Sequence, residues 1–534
     1  MRRALLATVC LFAVCAVADQ GHRHEGRPEQ LGKVDFPTSC SGGSQKRFER
    51  ALALLHSFWY EESEESFRAL AEKDKRCPIA WWGYAMSLYH PLWEQPDADT
   101  LRRGAEALER AKSTITRRTT PREREYIAAL SEFYRDYQHR DHRTRAQAWS
   151  AAMAKLSQDY PHDDEAAIFY ALSLLGIPEP GQKSQVNHRK AGVILEPIFA
   201  RHPEHPGVAH YLIHSYDSAE LAPRGLNAAR RYARIAPSVP HALHMPSHIF
   251  ERLGLWDDSI DSNMASAEAA RKHRINSPGA AVGDEIHALD FLAYAYLQIG
   301  LDKYAQAALE RAEQVAKQFG KREDYAAEIR AMYAIERHDW EQAASLQVPA
   351  STSGYDAAIW WARAMGAAHT GKPDAISEAL AKIEQIRDRF GAEKNTTAAD
   401  NVEVLRIQAA AWLANAKGDP AKAIELMRAA ADKEDIAGPA RRMPARQILA
   451  ELLLEVNRPA EALAEYETAL KAVPRRFNIV YGAARAAELA GNSVRALELY
   501  RDVVELARNS DTDRPELQQS RVFVSKAATQ QASR

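Results

Sequence analysis

From about Phe48 to Leu506, apolar residues recur every three or four positions, and runs of strict alternation are scarce. That period belongs to amphipathic helices rather than to strands. The stretch ARQILAELLLEVNRPAEALAEYETALKAVP, 445–474, shows the unit. An apolar helix leads to a turn at Asn457-Arg458, and a second helix carries Ala462, Tyr466 and Ala469 before Pro474. GAARAAELAGNSVRALELYRDVVELA repeats the scheme, with Gly491, Ala496 and Tyr500 in the matching places. Similar turns stand in LGLWDDSI (253–260), IGLDKYAQAAL (299–309), RHDWEQAASL (337–346), TGKPDAISEAL (370–380) and KGDPAKAIEL (417–426). From Asn457 to Gly491 the step is 34 residues, and from Gly418 to Asn457 it is 39. The pattern predicts an all-α chain of stacked helix pairs. Each pair can bury its remaining apolar face only against its neighbours, which gives a superhelical α-α solenoid with a concave wall.

The spacing and the order of small residue, aromatic or proline, then alanine resemble the tetratricopeptide repeat. The resemblance covers most of the chain, is specific in the last third and loosens toward the front. It divides the sequence into irregular repeats over 48–320 and more regular ones over 321–508, preceded by an extension, 19–47. The polar tail, 509–534, is expected to fray. Because each repeat of a solenoid touches mainly its neighbours, cutting after 474 is expected to leave a folded, less stable remainder. FPTSCSGGSQKRFERALALLHSFWYEESEESFRALAEKDKRCPIAWWGYAMSLYHPLW, HYLIHSYD, HALHMPSHIFERLGLWDDSIDSN and RFNIVYGAARAAELAG are together similar to a group of exported bacterial tetratricopeptide-repeat proteins. That likeness implies a repeat fold and export, and no activity.

Export is also what the start of the chain predicts. MRRALLATVCLFAVCAVADQ has Arg2 and Arg3, an apolar run from Ala4 to Val17, and a small-x-small pattern at Ala16-Val17-Ala18. This reads as a signal peptide, 1–18, directing the chain to the periplasm or out of the cell. The run is too short for a comfortable span, and no later stretch reads as one. Cleavage leaves two of the four cysteines, Cys40 and Cys77, and in an oxidising compartment two thiols point to one disulfide. A formal net charge of −2 without a basic, aromatic-interleaved run argues against nucleic acid as a partner.

Histidine is where the sequence departs from an ordinary repeat array. Seven of 19 histidines fall between His202 and His248. A helix turns about 100° per residue, so His210 and His214 share one face, as do His241, His244 and His248. His248, His244 and His241 lie 6, 10 and 13 residues before Gly254, and the same offsets from Gly300 select Tyr294, Asp290 and His287. These positions face the groove of a regular repeat. The expected site is a column in which His210, His214, His244 and His248 share one ion, joined by His287 and Asp290 as further ligands or hydrogen-bond partners. His241 and Tyr294 would face a ligand. Zinc or copper suits imidazole donors. A polar groove for a protein or peptide, or a satisfied hydrogen-bond network, would use the same residues. Two functions stay open: a scaffold holding a protein or peptide, and a metal-dependent enzyme with Asp217, Glu220 and Asp290 as nearby carboxylates. There is no H-E-x-x-H, nucleophile elbow, phosphate loop or dinucleotide fingerprint. His56, His90, Trp81, Trp82 and Trp93 read as core, and His22 and His24 as part of an arm.

Overall fold

Seven turns set the helix pairs. Gly254, Gly300, His338, Gly371, Gly418, Asn457 and Gly491 have φ between 53 and 83°. After each, the next residue's N–H donates to the carbonyl five positions back, at 2.8–3.0 Å, as in Leu255 to Phe250 and Asn492 to Ala487. This is the left-handed closure that satisfies the last carbonyls of a helix and reverses the chain. Glycine and asparagine adopt it at least cost, which is why the turns were readable. At Gly254 there is a second reason. A Cβ there would lie 2.8 Å from the Pro474 carbonyl oxygen and from Arg475 Cβ.

The computed structural model describes residues 29–93, 95–177, 185–437 and 442–532. The segment read as a signal peptide lies outside them, together with His22 and His24. Among the described residues every regular element is a helix, from Gly42–His56 to Pro515–Ala532. None is long and apolar enough to cross a membrane. Consecutive helices pack antiparallel along the chain, the arrangement of a tetratricopeptide-like superhelical solenoid. The buried apolar side chains form two cores. One runs from Leu31 to Phe250, the other from Trp256 to Leu517, and they meet at the Gly254 turn.

The solenoid does not stay one-dimensional. Its last repeats return to the middle of the chain. Trp256 Nε1 donates to the Arg475 carbonyl at 2.7 Å, and Arg476 Nη2 to the Glu251 carbonyl at 3.0 Å. The Phe477 amide donates to Gln298 Oε1 at 3.0 Å. Repeats beyond 474 are therefore partners of the Val282–Gln298 helix as well as of their own neighbours. The expected frayed tail is also corrected. Pro515–Ala532 is a helix, and the buried Arg514 anchors its start on Asp302 with Nη2···Oδ1 2.7 Å and Nε···Oδ2 3.1 Å. A cation held by two bonds to one carboxylate orders a segment whose composition alone reads as loose.

Cys40 and Cys77 are joined in a disulfide. It ties the segment before Gly42–His56 to the residue that precedes Pro78–Leu88. Reducing it, or replacing both with serine, is expected to lower the unfolding free energy by roughly 2–4 kcal/mol through the unfolded chain. Urea unfolding with and without reductant reads this directly, and coincident curves would contradict it.

Candidate metal centre

Four helices carry the histidine column. His205 caps Pro206–Tyr216, accepting at Nδ1 from the Val208 amide, and His210 and His214 follow on that helix. The next run is interrupted because Pro246 has no N–H to continue it. It becomes Pro240–His244 and Pro246–Leu253, bearing His241 and His244 on the first piece and His248 on the second. His287 comes from Val282–Gln298, across the junction of the two cores.

The column divides into two triads. His210, His214 and His241 form one, and His244, His248 and His287 the other. In each, the ligand atoms lie within 4.8 Å of one another. His210 Nε2 is 3.1 Å from His214 Nε2 and 3.2 Å from His241 Nε2. His244 Nε2 is 3.0 Å from His248 Nε2. An ion bonded to imidazole nitrogens at about 2.0–2.1 Å in tetrahedral geometry separates them by about 3.3 Å. The expected sharing of one ion by four histidines is corrected to two three-histidine sets, and His241 is a member of the first rather than a ligand-facing neighbour.

The outer nitrogens explain why the inner ones converge. His210 Nδ1 donates to the His56 carbonyl at 2.7 Å. His244 Nδ1 donates to Asn263 Oδ1 at 2.7 Å, while the Asn263 amide nitrogen donates to the Ser259 carbonyl and so fixes its orientation. His248 Nδ1 donates to Asp217 Oδ2 at 2.8 Å, and Asp217 is held by Arg252 Nε at 3.0 Å. The Tyr325 hydroxyl donates to Asp290 Oδ2 at 2.9 Å, so its oxygen accepts from His287 Nδ1 at 2.6 Å. With their Nδ1 protons committed, neutral His210, His244 and His248 present Nε2 lone pairs to ring nitrogens 3.0–3.2 Å away. His244 Nε2 and His248 Nε2, 3.0 Å apart, stand at the separation of one shared proton or of two ligands to one ion. At His210 a single lone pair faces two imidazoles, which one metal ion satisfies together and one proton does not. Imidazoles whose second nitrogen donates to a carboxylate, carbonyl or amide oxygen are the usual form of metal-ligating histidine.

Burial holds these groups in the neutral, ligating form. It lowers the His210 pKa to about 3, and it depresses His214, His241 and His244 well below the ordinary imidazole value. Neighbouring imidazoles act in the same direction. Aromatic rings complete the surroundings. Phe58 packs on His210, His214 and His241 at 4.3–5.8 Å between centroids, and Phe291 on His244, His248 and His287 at 4.5–5.1 Å. Trp93, 49% exposed, stands edge-on to His241 at 5.3 Å, at the side where the cluster meets solvent.

A third group, His56, Glu165 and His205, also brings its ligand atoms within 4.8 Å of one another, but a carboxylate stands among them. Glu165 takes a hydrogen bond from each imidazole, at 3.0 Å from His56 Nε2 and 2.9 Å from His205 Nε2. His56 Nδ1 then accepts from the Tyr211 hydroxyl at 3.0 Å. Burial alone would raise the Glu165 carboxyl, but the two imidazoles outweigh it and keep it ionised. This closed network shows what a structural histidine cluster looks like in the same molecule. Its role is to hold His56, whose carbonyl orients His210.

Other expected site residues fall elsewhere. Asp290 is not in either triad: its Oδ1 accepts from Arg442 Nη1 at 2.6 Å, and Tyr325 links it to His287. Tyr294 does not face a ligand. It is 1% exposed, with the Arg442 and Arg476 guanidiniums 4.5 and 5.1 Å from its ring. The returning C-terminal repeats cover both positions. Glu220 is exposed and paired with Arg189 at 2.6 Å. Of the anchors of the second triad, Asp217 was expected only as a nearby carboxylate, and Asn263 and Tyr325 were missed by sequence reasoning. They belong to other helices and loops, and no local spacing marks them. Replacing Asn263 with alanine, or Asp217 with asparagine, is expected to weaken ion binding at the second triad about 10–100-fold. Chelator competition measures it, and unchanged affinity in both variants would contradict the assignment of these anchors.

No known family model matches this chain, and no curated protein sequence does. Among solved structures it is similar to the APC/C hetero-tetramer Cut9–Hcn1, at 11% identity over 91% of this chain and 90% of that one, with a TM-score of 0.35. A human IFIT1 dimer with m7Gppp-AAAA gives 13%, 80%, 90% and 0.35, and yeast Tom70 gives 13%, 92%, 96% and 0.34.

Proposed function

We propose that this chain is an exported, metal-binding helical-repeat protein whose solenoid wall holds two first-row transition-metal ions, one on each histidine triad. The observation that carries the reading is the approach of imidazole Nε2 atoms to 3.0–3.2 Å of one another, with His210, His244 and His248 each held through Nδ1. The contrasting His56–Glu165–His205 group supports it, because that cluster is satisfied without an ion. Three protein ligands leave a fourth position for water or substrate, the composition of catalytic rather than purely structural sites. This favours a metal-dependent enzyme over a passive scaffold. Asp217, bonded directly to His248, and Asp290, one tyrosine further from His287, would offset the charge of the second ion. The signal-like start and the Cys40–Cys77 bridge support export. A protein or peptide could still be the molecule brought to the ions, since a repeat wall supplies extended surface.

The test is elemental analysis of protein purified without an affinity tag, after equilibration with zinc or copper and removal of excess. About two ions per chain are expected. A chain that retains neither metal would overturn the reading.

A further inference from the structure

The two triads are not separate sites on a long wall. His241 and His244 are three residues apart, and their ring centroids lie 6.1 Å from each other. His214 and His248, again from different triads, are 6.4 Å apart. With the contacts inside each triad, the six rings form one continuous cluster. An ion bonded through Nε2 sits about 3 Å from each of its ring centroids. The two triads therefore adjoin one another, with Phe58 packed on one and Phe291 on the other.

From this we infer that the triads form one dinuclear copper centre that binds dioxygen as a bridge. The inference rests on the metal-binding reading above and deepens it. The donor set selects the metal. All six donors are imidazoles, with no carboxylate or thiolate in either triad. Imidazole sites bind copper more tightly than the other divalent first-row ions. Three neutral nitrogens also suit cuprous ion, which needs no anionic ligand and accepts low coordination numbers. The aromatic rings limit water around the ions, and such a shell controls solvent access and redox behaviour. The oxidising compartment indicated by the disulfide supplies dioxygen rather than thiol reductants.

The step balances without help from the protein. Each of two cuprous ions gives one electron to dioxygen and becomes cupric. Dioxygen becomes peroxide, one O–O bonding pair remains, and copper–oxygen bonds form to both metals. No proton moves and no side chain is oxidised. The part played by this chain is to hold the two ions close together with three imidazoles on each, which leaves room in each coordination shell for oxygen.

Full-length mature protein is loaded with two equivalents of cuprous ion without air, and then oxygenated. An intense near-ultraviolet charge-transfer band is expected, together with loss of most of the paramagnetic resonance signal that two isolated cupric ions would give. His244→Ala/His248→Ala protein, shown by circular dichroism to keep its helices, should hold one copper and give a full one-spin signal on oxidation, without the band. Two coppers per chain with a full two-spin signal and no band would overturn the dinuclear inference and leave the metal-binding reading standing. Displacement of copper by equimolar zinc would overturn it in the same way. Failure to bind either metal would remove both.

Discussion

Filling the triads is expected to raise the unfolding free energy by about 4 kcal/mol for each ion, with free metal at about a thousand times its dissociation constant. The ion binds the folded arrangement, in which three Nε2 atoms converge, and has no comparable site in the unfolded chain. Two filled triads would then contribute about 8 kcal/mol, as large as the whole stability of many domains. The variants separate the contributions. His244→Ala/His248→Ala should lose the increment of the second triad and keep that of the first. His210→Ala/His214→Ala should do the reverse, although loss of the His210 bond to the His56 carbonyl will itself destabilise the fold. Urea unfolding with and without metal reads each increment as a difference within one variant, so a destabilised background does not confuse it. Equal metal stabilisation in wild type and both double variants would show that the ion sits elsewhere.

Without metal, the protein is expected to be acid-labile from about pH 6.5 downward. The cause is the low folded-state pKa of His210, His241 and His244, all buried. The unfolded chain takes up protons at its ordinary imidazole pKa, about 6.5. The folded chain does not until far lower, about 3 for His210. Across that window the unfolded state binds more protons, so stability is highest above pH 6.5 and falls as pH falls. Each such group contributes a slope of about 1.4 kcal/mol per pH unit, and the three together about 4. The loss grows as pH falls further, and a marginally stable chain has little stability in reserve. Metal adds to the slope, because protons must displace it from the same nitrogens. Urea midpoints measured between pH 5 and 8 test the sign, and midpoints that hold steady or rise on acidification would be incompatible with it.

What the sequence made legible was local. Gly254, Gly300 and Asn457 marked turns because their backbone conformation is one that few residues accept, and the repeat register between them placed the histidines on one wall. Helical spacing also grouped His210 with His214 and His244 with His248. It could not say that His241 joins the first pair and His287 the second, because that depends on how neighbouring helices are rotated against each other. Asp290 and Tyr294 occupy the right offsets, but the positions are buried by Arg442 and Arg476, about 150 to 180 residues further along. Nothing in a local period foretells such a return. Arg514 on Asp302 escaped notice for the same reason: a polar tail with one well-placed guanidinium is ordered by a partner 212 residues away.

The return of the last repeats onto the middle of the chain also bears on how the molecule is made. A simple solenoid can nucleate in any repeat and grow from neighbour to neighbour, so its contacts are short-range and its folding fast. Here Trp256, Gln298 and Glu251 bond to residues 179 to 225 positions later. Those closures exact their chain entropy before any contact rewards them. The helix that brings His287 to its triad is therefore held in its final surroundings only after the segment around Arg475 to Phe477 has been synthesised and docked. Copper or zinc offered during synthesis should meet an incomplete second triad, while the first, whose ligands all precede residue 242, is already available. The order in which the two ions load would then record the order in which the chain folds.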